Sequence, residues 1–316
     1  KHNGSKNKVQ LSPNAGHTEA LNAIQTVITD TGVAPIAVGH RVVHGGERFK
    51  QAALVDDSVL ADVEKYASMA PLHNMANLKG ITTAQEAYPD LPHVVVFDTS
   101  FFQKMPEKAY LYALPKALYR DHGIRRYGFH GTSHKFILDS TAALLDKPVA
   151  QTSIISAHLG NGCSVTAIEQ GVAVDTSLGF TPLEGLIMGT RSGDLDPSLP
   201  GTLQNKLGKT ADEINDLLNK SSGLLGISEL SNDCRTLEDA AIEGHEGAKL
   251  AIEMFCYRLA KYITGYMIAV PSLDAIVFTG GIGENSSLIR ETTMGYFSHL
   301  GVDIDTDRNL QARFGK

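Results

Sequence analysis

The sequence has no tryptophan, only three cysteines and no surplus of basic over acidic residues. Cys163, Cys234 and Cys256 are widely spaced and odd in number, with no CxxC pair and no His/Cys cluster. Neither a disulfide framework nor a zinc site can be read from them. A reducing, intracellular setting is the simplest expectation. Thirty-five acidic residues against 28 basic ones leave a net charge of −7, which argues against a broad grip on nucleic acid or anionic membrane. It leaves room for a local basic pocket. No apolar run reaches the ~20 residues that span a bilayer, and residues 1–8 lack the apolar core of a signal peptide. The usual phosphate signatures, GxxxxGK[ST] and GxGxxG, are also missing. Gly281-Ile282-Gly283 resembles part of the second but has no third glycine in register.

What is present is ample core material. Of 316 residues, 42% are hydrophobic and 20% charged, which excludes a disordered or collagen-like chain and sets a prior of about two domains. The pattern predicts a buried strand over 36–43, running into His44-Gly45-Gly46, and helices over 57–68 and 74–88, the first capped by Asp56 or Asp57. A short apolar strand, 94–97, carries Asp98 at its end. A helix over 132–145 starts on the hydroxyl of Thr132. A strand over 153–157 precedes His158-Leu159-Gly160-Asn161-Gly162, and residues 165–168 and 172–174 read as a hairpin. Helices over 211–219, 237–244 and 246–270 follow, the last with an apolar face of Leu250, Met254, Tyr257, Leu259 and Ile263. A final strand, 274–278, runs into Thr279-Gly280-Gly281-Ile282-Gly283-Glu284-Asn285. Apolar strands that each end in a Gly-rich polar turn predict an α/β protein, in which ligands bind at the carboxyl ends of strands.

Any one Gly-rich turn is most simply an ordinary tight turn. Two of them, about 120 residues apart and both after apolar strands, suit a nucleotide cradled by backbone N–H groups. Arg41 lies inside an apolar strand, where a solvent-facing edge position competes with an anion ligand. Arg191 lies in the polar loop Gly189-Thr190-Arg191-Ser192-Gly193-Asp194. Two guanidiniums aimed at one site suit a carboxylate or a transferring phosphoryl group. Asp98 is either a turn cap or a carboxylate that serves the chemistry. His130 and His134, four apart at a helix start, share a face. No HExxH pattern and no third ligand support zinc, so one histidine is expected to donate to phosphate and the other to be structural.

Together these segments resemble the acetate kinase family. The matching stretches are Gly39-His40-Arg41-Val42-Val43-His44-Gly45-Gly46, Pro71-Leu72-His73-Asn74, Phe97-Asp98-Thr99, residues 127–134, 158–162, 175–185 and 189–193, and residues 279–285, all in the family's order. The resemblance implies a two-domain acetate and sugar kinase, heat-shock chaperone and actin-like fold, ribonuclease H-like, with nucleotide and substrate in the interdomain cleft. It places an incomplete, substrate-side domain at 1–100 and a nucleotide-binding domain at 101–316. It implies reversible phosphoryl transfer between ATP and acetate, giving acetyl phosphate and ADP by direct in-line transfer. The alternatives are a propionate kinase of the same family or a non-catalytic nucleotide-binding fragment.

By matching motif, the resemblance implies that Arg41, Asp98, His130 and Arg191 are catalytic. Arg41, Val43, Leu72, His73, Phe129 and Pro182 are implied for the substrate. His158, Leu159, Gly160, Asn161, Gly162, Asp233, Cys234, Arg235, Gly281, Ile282, Gly283, Glu284 and Asn285 are implied for the nucleotide. It further implies Mg²⁺ or Mn²⁺ with ATP, a cytoplasmic homodimer, and no nucleic-acid or membrane partner. Met75 stands where the family has proline, and Phe102 where it usually has histidine. Measured against the family, the sequence is short at both termini, and the family's metal ligands are expected to fall outside it.

Overall fold

The computed structural model describes residues 8–12, 15–32 and 34–313. The chain divides into two compact units, Lys1–Ser100 and Phe101–Lys316.

The first unit is built on a three-stranded sheet in the order β1-β3-β2, from β1 (Val38–Val42), β2 (Ala53–Leu54) and β3 (His93–Phe97). β1 and β3 are parallel, with Val42 opposite Phe97, and β2 is antiparallel to β3. The helices Asp57–Lys65 and Pro71–Ala87 fill the connection from β2 to β3. Asp56 caps the first of them by accepting from Val59 N–H. The second starts on a proline, whose missing N–H costs nothing at a helix start, and stops two residues short of Pro89. Val42, Val59, Val63, Ile81 and Val95 close over the stacked rings of Phe49 and Phe97, whose centroids are 4.0 Å apart. The strand expected over 36–43 is shorter, and it is buried only at its C-terminal end, at Val42. Among the described residues β1 pairs with β3 alone; Gly39 and Arg41, alternate residues along it, face solvent, and Ile36 is 86% exposed.

The second unit holds a four-stranded mixed sheet in the order β6-β5-β4-β7. Its strands are β4 (Ile154–Leu159), β5 (Cys163–Glu169), β6 (Val172–Thr176) and β7 (Ala275–Thr279). β4 and β5 are antiparallel neighbours, as are β5 and β6, whereas β4 and β7 run parallel. The helix Gly131–Leu144 packs on β4, and the long helix Glu246–Met267 packs on β5. That long helix buries Ala248, Ala251, Ile252, Phe255, Cys256, Leu259, Ala260 and Ile263. The face expected from Leu250, Met254 and Tyr257 is exposed instead, because the small residues Ala248, Ala251 and Ala260 permit the close approach. The helix expected to start on Thr132 starts one residue earlier. Its N-cap is His130 in the left-handed region, φ 59°, and no side chain caps it.

Candidate active site

In the first unit the site residues gather at the C-terminal ends of β1 and β3. Asp98 continues the ladder by donating its N–H to Val42 O at 3.0 Å. Its carboxylate, 1% exposed, accepts from Arg41 Nε–H at 2.9 Å and Nη2–H at 2.6 Å. The Arg41 side chain is 60% exposed on an edge strand, and its guanidinium is fixed there by the Asp98 carboxylate. The hydrogen bond to Asp98 raises the guanidinium's proton affinity further. Asn74 staples the following turn, accepting from His44 N–H and donating to His44 O and Val63 O. Gly45 passes so close to Phe97 that a Cβ would lie 2.6 Å from the ring. Val43 is buried beside this turn, and His73 is half-buried on the helix Pro71–Ala87. The Leu72 side chain lies outside the described residues.

In the second unit the two Gly-rich segments are neighbours, but only the one after Leu159 is a turn: Gly280–Asn285, expected as a turn, forms a short helix capped at Thr279. β4 and β7 are adjacent and parallel with His158 opposite Thr279, so the turn after Leu159 and the helix after Thr279 leave the sheet side by side. Gly280, φ 80°, lies so near Leu159 that a Cβ would be 2.6 Å from its carbonyl oxygen. Beside these segments lies a cavity of about 380 Å³. Gly160, Asn161, Asn232, Asp233, Cys234, Arg235, Gly281, Ile282 and Asn285 line it, together with Glu238, Ser286 and Arg313, which the sequence motifs did not single out. Asp233 also caps the helix Cys234–Ile242 by accepting from Thr236 N–H. Glu238 accepts from the Ser286 hydroxyl and from Cys234 Sγ–H at 3.4 Å. Leu159 and Gly283 are buried, and Glu284 accepts from the Thr279 hydroxyl at 3.2 Å.

A second group faces Gly162. A Cβ placed there would lie 3.2 Å from Arg191 Nη1 and 3.5 Å from His130 Nε2, so glycine leaves open a small space on which a guanidinium and an imidazole converge. Among the described residues no carboxylate pairs with Arg191, which donates to Pro182 O at 3.0 Å, and burial lowers its proton affinity. A half-buried guanidinium held without an anion is suited to receive one. Gly223, φ 62°, packs so tightly on the Arg191 loop that a Cβ there would overlap Met188 O and lie 2.6 Å from Arg191 O. Asn161 ties the turn after Leu159 to the Arg191 loop, its carbonyl accepting from Gly189 N–H at 2.9 Å.

Behind this face lie three histidines. The His130 and His158 rings have centroids 4.4 Å apart. His134 is fully buried, and desolvation first, then the nearby His158, lowers its pKa to about 3. It is structural and neutral. Sequence reasoning missed Arg126, which is ion-paired to Glu184 at 2.6 Å and donates to Thr176 O and Ser177 O. Tyr112 bridges the same carboxylate to Phe180 N–H. This network holds the 177–185 loop that carries Phe180 and Pro182. Phe129 is buried near the start of the histidine helix.

Among the described residues no group of three His, Cys, Asp or Glu side chains fits a metal ion, and both oxygens of Asp98 are engaged by Arg41. The described side chains therefore do not build a protein-held metal cage. Among the described residues no helix is long and apolar enough to cross a membrane.

A model of the acetokinase family matches residues 1–316. The chain is 55% identical over 318 residues to the acetate kinase of Shewanella sp. strain W3-18-1, an alignment covering 99% of this chain and 80% of that one. The crystal structure of a propionate kinase from Francisella tularensis superposes with a TM-score of 0.92 at 44% identity, covering 94% of this chain and 77% of the other. Porphyromonas gingivalis acetate kinase superposes with a TM-score of 0.88 at 45% identity, covering 95% and 77%.

Proposed function

The chain belongs to the acetokinase family, and we propose that its catalysis rests on Arg41, Asp98, His130 and Arg191. Its fold is of the acetate and sugar kinase, heat-shock chaperone and actin type. It is an ATP-dependent phosphotransferase with a carboxylate acceptor, and its reaction is reversible phosphoryl transfer between ATP and acetate.

The observation that carries the residue assignment is the meeting of Arg191 Nη1 and His130 Nε2 at Gly162. In-line phosphoryl transfer asks a protein mainly for positioning and for neutralising charge on the equatorial oxygens. Arg191 supplies a fixed positive charge, and His130 a hydrogen bond that strengthens as charge builds on the transferring group. Arg41, fixed by Asp98, binds the acetate carboxylate. Val43, Leu72, Phe129 and Pro182 receive its methyl, with His73 beside them. The cavity edged by Asp233, Cys234, Arg235, Gly281, Ile282 and Asn285 receives the nucleoside, and the 158–162 segment and the short helix Gly280–Asn285 face the phosphates. A divalent ion, Mg²⁺ or Mn²⁺, enters with ATP. The unit 1–100 serves the substrate and 101–316 the nucleotide. The protein works as a cytoplasmic homodimer with ATP, ADP, acetate and acetyl phosphate, and without nucleic acid or membrane.

Propionate is the second acid to test, because a propionate kinase superposes so well. One methylene in an apolar pocket changes affinity by about 1–3 kcal/mol. The hydroxamate assay for acyl phosphates, run with acetate and propionate, reads the preference. Higher kcat/KM for acetate supports the acetate assignment; higher kcat/KM for propionate overturns it.

A further inference from the structure

We propose that Ser164 is a positioning residue that sets which nitrogen of His130 carries the proton, so that His130 presents Nε2–H to the transferring group. The proposal rests on the reading of His130 given above.

Ser164 lies on β5 directly opposite His158 on β4, fully buried, and faces the helix Gly131–Leu144. Its Oγ is 2.8 Å from His134 Nε2 and 2.9 Å from His130 Nδ1. On the far side of His134, Nδ1 is 2.9 Å from Ser156 Oγ. The four groups form one chain: Ser156, His134, Ser164, His130. The flanking ring of His158, fixed by Ser133 Oγ at 2.9 Å, lies against His130 and limits its rotation.

A hydroxyl has one hydrogen to donate, and a neutral imidazole has one N–H and one lone pair. The burial of His134 keeps it neutral, so the chain has two self-consistent directions. In one, Ser156 donates to His134 Nδ1, His134 Nε2–H donates to Ser164, and Ser164 donates to His130 Nδ1. His130 then carries its proton on Nε2. In the other, every bond reverses, and a neutral His130 offers a bare lone pair at Nε2. The first direction places both rings in the Nε2–H form that a neutral imidazole side chain prefers in water. It is also the direction that an anion in the space beside Gly162 selects, because phosphoryl oxygens accept hydrogen bonds and repel a lone pair. His130 thus serves as a donor without needing to be protonated, and a fully buried hydroxyl two steps from substrate enforces that state.

The test reads histidine tautomers directly, by long-range ¹H–¹⁵N correlation on ¹⁵N-histidine-labelled protein at pH 7.5, with and without ATP. Resonances are assigned with His130→Gln and His134→Gln. The proposal expects Nε2–H, neutral, at both His130 and His134 in the unmodified protein. A proton on Nδ1 of either ring overturns it, and this reading needs no Ser164 variant to fold. For Ser164→Ala we expect kcat to fall about 10-fold or more with KM for ATP and acetate nearly unchanged, and Ser164→Thr to recover much of the loss. An unchanged kcat in Ser164→Ala, or no recovery by a folded Ser164→Thr, overturns the relay. Failure of the His130 reading shows separately, as an unaffected rate in His130→Ala, whatever the tautomers report.

Discussion

Asp98 spends both of its oxygens on one partner: Arg41 donates from Nε and from Nη2, and the buried carboxylate thereby fixes a guanidinium that is itself largely exposed. The arrangement turns a mobile surface arginine into a fixed anion receptor, because only a planar fork satisfies both oxygens at once.

Removing Arg41 should therefore cost twice. Arg41→Ala is expected to lower kcat/KM for acetate by about 10²-fold or more, and to destabilise the fold by about 1–3 kcal/mol because the Asp98 carboxylate is left buried without its donors. Arg41→Lys restores the charge but not the two-point contact, so activity stays low. Steady-state kinetics and urea unfolding check both. Full activity in Arg41→Lys contradicts the fork.

Gly162→Ala should act without unfolding the protein. The new methyl fills the space before Arg191 Nη1 and His130 Nε2. A drop in kcat of about 10-fold, with an unchanged melting temperature, is expected. Unchanged kinetics would place the transferring group elsewhere.

Burial of His134 makes stability depend on pH with a definite sign. Its folded pKa of about 3 lies below its unfolded value of 6.5, so between these pH values the unfolded chain binds a proton that the folded chain refuses. Stability falls as pH drops from 6.5 toward 3, and this one group contributes up to about 1.4 kcal/mol per pH unit. Urea unfolding of the wild type should show that slope between pH 6 and 4.5, and His134→Gln should lose this share of it. Parallel curves contradict the assignment.

The cysteines should be inert in the native protein. Burial pushes the Cys163 and Cys256 thiols up to about 12, and burial together with Glu238 pushes Cys234 higher still. Iodoacetamide at pH 8 should leave the folded chain unlabelled and modify all three positions in urea. Rapid labelling of Cys234 in the folded chain contradicts its burial.

The strand-then-glycine pattern was legible because each turn announces itself locally, and so was the capping of the helix at Asp56. That the segments after Leu159 and Thr279 are neighbours, and that the second is a helix, was not legible, because the first depends on β4 pairing with β7 across some 120 residues of chain and glycines disguise the second. Ser164 was hidden for a related reason. Its role comes from facing His158 across two strands and the two histidines of a helix, while locally it is one more serine in an apolar run. Bulk is a partial guide to burial along the long helix: Leu259 and Ile263 are buried as their pattern predicts, whereas Leu250 and Tyr257 face water and alanines make the close contact. Arg41 and Arg191 stood out because a guanidinium is conspicuous in an apolar strand and in a charge-poor loop, but their partners, Asp98 and Pro182 O, needed the fold.

The central claim is that Arg191 and His130 act on the same transferring group. A double-mutant cycle of Arg191→Ala and His130→Ala, read as the rate of acetyl phosphate formation from ATP and acetate, tests it most directly. Each single change is expected to cost about 10²–10³-fold in kcat, and the double change far less than the product of the two, since side chains that share one charge are not independent. Losses that multiply without coupling, or an unaffected rate in either single variant, would contradict it.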